Sequence, residues 1–110
     1  MKKKRQSKNE KDIPSVVLDR TDSRVGSVCV STAGHDEGSL LVVVAGLDRD
    51  HVYVADGRLR KQTAPKKKKM RHLSMITKLS GPDAEVLRGG VYNDSFLRKV
   101  LSRAKSEKLT

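Results

Sequence analysis

Aromatic side chains are nearly missing from this chain: it has no Trp, one Phe (Phe96) and two Tyr (Tyr53 and Tyr92). That excludes the stacking platform of adjacent aromatics on which many single-strand nucleic-acid readers depend. It leaves a thin core of Val and Leu, enough for one small domain with tails. Cysteine occurs once, at Cys29, so no intramolecular disulfide can form and a reducing compartment is expected. Inside an apolar run, Cys29 serves most simply as a small buried hydrophobe. His35, His51 and His72 with one Cys offer no zinc-ligand spacing, and Gly89-Gly90 lacks the lysine pattern of a phosphate-binding loop. No metal, cofactor or small-molecule substrate is therefore expected. No apolar run approaches the ~18 residues a membrane span needs. The basic start MKKKRQSKNEKD is followed by Pro14 and Asp19, which interrupt what would be the apolar part of a signal peptide. A cytoplasmic protein without a membrane partner is the expectation.

Acid is scarce as well, and unevenly so. Against 24 Lys+Arg stand 13 Asp+Glu, for a formal charge of +11. Residues 1–11 carry +5, residues 12–57 carry −5, residues 58–72 carry +8 with no acid, residues 73–93 are neutral and residues 94–110 carry +3. Such a balance favours a polyanionic partner through counterion release and steering. Charge used only for solubility would intersperse the signs, so the segregation suggests a binding face.

What is abundant is β-branched and aliphatic residues between Val25 and Gly46, VGSVCVSTAGHDEGSLLVVVAG. Val25 to Val30 and Leu40 to Ala45 read as two strands of an antiparallel hairpin around a Gly-containing loop. His51 to Ala55 alternates as a half-buried strand would. Asp56-Gly57 signals a tight turn, after which Arg58 to Lys61 reads as a strand with Leu59 inward. A last strand is expected over about Lys68 to Met75. Five strands with short loops fit a small closed β-barrel. Leu40 to Ala45 is apolar on both faces, so something must pack outside that barrel. The candidate is a C-terminal helix capped by Asn93 that carries Phe96, Leu97, Val100, Leu101 and Ala104 at helical spacing. A shorter helix from Pro82 to Gly89-Gly90 would carry Ala84, Val86 and Leu87. The domain reading is a disordered basic arm and lead-in over residues 1–23, a barrel over 24–79 and helical segments over 80–110.

The run Gly26 to Gly38 followed by Leu41-Val42-Val43 resembles the KOW motif, and Val54 to Arg60 and Pro65 to Leu73 are similar to downstream segments of the same family. The chain resembles small bacterial KOW-domain RNA-binding proteins related to the large-subunit ribosomal protein L-fourteen-e. The resemblance spans roughly Val25 to Leu79. It implies an SH3-like barrel that binds RNA of the large ribosomal subunit in the family's manner.

Two stretches carry the candidate contacts. Arg58 to His72, RLRKQTAPKKKKMRH, holds eight cations in fifteen residues. Arg58, Arg60, Lys61, Lys66, Lys67, Lys68, Lys69, Arg71 and His72 would present a row of positive charge, with Arg gripping phosphate bidentately and Lys acting as a point charge. A solvated charge run without selectivity is the plainer alternative. In the loop, small residues allow close approach of a sugar-phosphate chain, and Ser31, Thr32, Gly34 and His35 are taken as RNA contacts because the family's loop lies near its RNA surface. An ordinary hairpin turn is the alternative there, and Asp36 and Glu37 would repel phosphate. Ser31, His35 and Asp36 have the letters of a hydrolase triad, but one hairpin turn cannot easily bring them to a buried, oriented geometry.

The reading is a monomeric, non-catalytic protein that binds structured rRNA and is ribosomal or ribosome-associated. Its rivals are a KOW-type protein-interaction adaptor using the stripe from Phe96 to Leu101, and a nonspecific DNA binder.

Overall fold

The computed structural model describes residues 18–109. The expected basic arm and the first part of the lead-in, through residue 17, fall outside the described residues. Five antiparallel strands form one sheet: β1 Ser27–Ser31, β2 Leu40–Asp48, β3 His51–Ala55, β4 Lys66–Lys69 and β5 Leu73–Lys78, in the order β4-β3-β2-β1-β5. Two helices follow, α1 Gly81–Gly89 and α2 Asp94–Leu109. The hairpin β1–β2 pairs Val28 with Val42 and Val30 with Leu40, and Gly26, Gly34 and Gly38 all adopt positive φ, at 92°, 79° and 89°.

The strand period divides the apolar residues between two faces. On one face Val25, Val28, Val42, Val44 and Ala55 pack with Leu87, Leu97, Leu101 and Ala104 of the helices. On the other, Cys29, Leu41, Val43, Val52 and Val54 pack together, with Met70 and Leu73 at the rim. The unbroken apolar run of β2 is thus explained as the sequence predicts, by helices lying outside the sheet. Asn93 Oδ1 accepts from the Phe96 amide at 2.9 Å at the start of α2, and Gly90 at φ 78° ends α1.

Four expectations change. The sheet is open: β4 and β5 are its edges, and no strand pairing joins them among the described residues. The single strand expected over Lys68 to Met75 is instead β4, a 3-10 turn over Met70–His72, and β5. The chain therefore passes from one sheet edge to the other within three residues, pinned by the Met70 amide on the Asp50 carbonyl and the Thr32 amide on the His72 carbonyl, both at 2.8 Å. Arg58 to Lys61 is not a strand, and Leu59 is 80% exposed rather than inward. The Asp56 carboxylate accepts from the amides of Arg58 and Arg60, which keeps these residues in a turn. On α1, Ala84 and Leu87 are buried, while Val86 faces solvent.

Candidate nucleic-acid interface

Four consecutive lysines form the edge strand β4. A strand must send alternate side chains to opposite faces, so the run divides in two. Lys66 and Lys68 pair with Val54 and Val52, on the face of the small apolar cluster, whereas Lys67 and Lys69 pair with Tyr53 and His51. Lys68 is 7% exposed, and its ammonium donates to the Ala33 carbonyl at 2.9 Å.

An ammonium buried beside Val52 and Cys29 needs an anion. The β1–β2 loop supplies it. Gly34, with its left-handed backbone, opens a 3-10 turn over Gly34–Asp36, closed by the Glu37 amide on the Gly34 carbonyl at 3.1 Å and by the Gly38 amide on the Ser31 carbonyl at 2.8 Å. This turn buries Asp36 to 4% exposure. Its carboxylate lies 2.9 Å from Lys66 Nζ, 3.2 Å from Arg60 Nη2 and 3.7 Å from Lys68 Nζ. Burial alone would raise the carboxyl pKa. The hydrogen bond from Lys66, the charges of Arg60 and Lys66 and the hydrogen bond from Arg60 outweigh it, so the group sits below its ordinary value.

Arg60, Lys66 and Lys68 are accordingly internal ion-pair partners, with Arg60 and Lys66 still 31% exposed at their outer sides. Ser31 is 1% exposed and its hydroxyl donates to the Ala33 carbonyl at 2.9 Å, so neither Ser31 nor Lys68 is available to an outside ligand in this conformation. Thr32, Gly34 and His35 lie exposed, and His72 is half-buried. The expected repulsion of phosphate by Asp36 does not apply, because its charge is more than balanced by its three cations. Nor do the three triad letters assemble: Ser31 and Asp36 have these other partners, and His35 faces solvent.

What remains is a set of outward cations. Arg58, Lys61, Lys67, Lys69 and Arg71 are exposed, and their side chains form no ion pair or hydrogen bond among the described residues. Lys69 and Arg71 line a shallow depression of about 330 Å³ with Asp50 and His51. His51 Nδ1 lies 2.8 Å from Asp48 Oδ1, a bond that holds the Asp48 carboxyl below its ordinary pKa. Such an array, mounted on an edge strand and a turn, can grip a polyanionic backbone by charge and by Arg geometry.

Among the described residues no group of His, Cys, Asp and Glu could hold a metal ion, and no helix is long and apolar enough to cross a membrane. No protein-family model matches the chain, and no curated protein matches it.

Asp36 as the hub of the ion cluster escaped the sequence reading. The available signal was the pairing of a glycine-turn carboxylate with a lysine run whose alternate members must point inward.

Proposed function

We propose that this chain is a non-catalytic RNA-binding protein, ribosomal or ribosome-associated, that holds structured rRNA of the large subunit by its phosphate backbone. It acts as a cytoplasmic monomer built on a KOW-type, SH3-like module. The observation that carries this is the set of five exposed, unpaired cations within one segment, which remains after the structural needs of Arg60, Lys66 and Lys68 are met. The scarcity of aromatics turns recognition toward shape and backbone rather than stacked single-stranded bases. The SH3-like reading is supported by the strand order and by the 3-10 turn that links the two sheet edges.

A protein-interaction adaptor would need the stripe on α2 exposed. Leu97 is instead fully buried and Phe96 partly so, against Val42 and Val44. A duplex-DNA binder would use the same charges as an RNA binder, and competition between rRNA and duplex DNA separates the two.

The test of the ribosomal assignment is sucrose-gradient fractionation of lysate before and after a high-salt wash. Retention on large subunits through the wash is expected for a stable component, and release by the wash for a loosely held one. Migration only at the top of the gradient under low salt overturns ribosome association.

A further inference from the structure

The turn that follows β3 is built as a rigid mount. Asp56 Oδ1 accepts from the amides of Arg58 at 2.8 Å and Arg60 at 2.9 Å, and the amides of Asp56 and Gly57 donate to the Arg60 carbonyl at 2.9 and 3.0 Å. Gly57 has φ 79°, and a Cβ there would run into the Asp94 carbonyl. The first turns of α2 hold the other side: Arg98 Nη1 donates to the Gly57 carbonyl at 2.7 Å, and Asp94 Oδ1 accepts from the Gln62 amide at 2.7 Å. What this mount displays is Leu59, 80% exposed. Packing among the described residues gives no reason for an apolar side chain at that tip.

Beside the mount, a groove of about 330 Å³ runs between the turn and α2. Leu40 and Leu101 form its apolar part, and Arg58, Arg98 and Lys105 its cationic walls. Among the described residues Asp56 is the one acid in the lining, and one of its oxygens is already engaged by two amides. Arg58 and Lys105 have side chains without a partner among the described residues. The turn is also tied to the lysine strand, because Arg60 and Lys66 share Asp36. The turn beside the groove and β4 are thus held to each other through Asp36.

We infer that this groove is a second RNA contact, in which Arg58 and Lys105 take backbone phosphate while Leu59 packs on the face of a ribose or an unstacked base. The inference rests on the RNA reading above and extends its surface to α2, whose cations lie outside the basic segment. Cations on two walls with an apolar floor match the alternation of phosphate and sugar along a nucleic-acid strand.

The test is fluorescence anisotropy of the full chain on deproteinised large-subunit rRNA across a salt titration, with Lys105→Glu, Leu59→Ser and, for reference, Lys67→Glu. Lys105 in the groove and Leu59 on the turn beside it are both exposed, so melting temperatures should stay at the parent value and report intact folding. Lys105→Glu is expected to weaken binding several-fold and to flatten the log–log salt slope by about 0.7 to 0.9. Leu59→Ser is expected to weaken binding with the slope unchanged, since an apolar contact releases no counterions. Parent affinity and slope in both groove variants, with Lys67→Glu impaired, overturns the groove and leaves the RNA reading standing. Parent behaviour in all three variants overturns both.

Discussion

The two faces of the sheet are closed by different physics. One is covered by α1 and α2, and its seal is hydrocarbon: Val28, Val42 and Val44 against Leu87, Leu97 and Leu101. The other has five fully buried apolar side chains and is bounded by the ion cluster of Asp36 with Arg60, Lys66 and Lys68. The difference follows from the edge strand. Four consecutive lysines in a strand place two inward whatever the register, and inward ammonium groups need a carboxylate. A single buried Asp thereby lets the outward pair, Lys67 and Lys69, stand on a well-defined platform.

The largest expected effect is on that ionic side. Asp36→Ala leaves Lys68 buried without its anion and should cost about 4 kcal/mol in denaturant unfolding. Asp36→Ala combined with Lys68→Met should recover part of the loss. If Asp36→Ala is neutral, the contrast between the faces fails. Leu97→Ala, on the hydrocarbon side, should cost about 3 kcal/mol through lost burial and a residual cavity, and the Lys68→Met replacement should leave that loss unchanged, because the two faces are separate.

Acid sharpens the comparison. Asp22 pairs with Arg24 at 2.7 Å, and that hydrogen bond above all lowers its pKa to about 2. A depressed carboxyl pKa stabilises the fold above the unfolded value and loses that contribution as pH falls through the folded one. Stability should therefore fall between about pH 4 and pH 2. Asp22→Asn should remove about 2 kcal/mol at neutral pH and flatten that decline. Asp36, also lowered, contributes with the same sign. A pH-independent stability across this window would contradict both assignments. The smallest effect concerns Cys29, whose thiol is pushed up to about 12 by burial. Alkylation at neutral pH should be negligible in the folded protein and prompt after unfolding.

Much of this was legible in residues. The β-branched runs announced β1, β2 and β3, Asn93 announced α2, and an apolar strand without alternation called for cover on both faces. The basic segment was visible as charge density. Its division was not, because which lysines face inward depends on register against β3, and register is a tertiary fact. Arg58 to Lys61 has strand-like alternation, but the side chain of Asp56 captures its amides before a neighbouring strand can. What Arg98 and Lys105 of α2 border likewise depends on how the helix docks.

The most direct test of the central claim compares the salt dependence of rRNA binding for the parent chain with that of Lys67→Ala/Lys69→Ala/Arg71→Ala. The account predicts a parent-like melting temperature, weaker binding, and a log–log slope flatter by about 2 to 3. An unchanged slope in the folded variant would contradict it, because the outward cations would then not be the groups that meet phosphate.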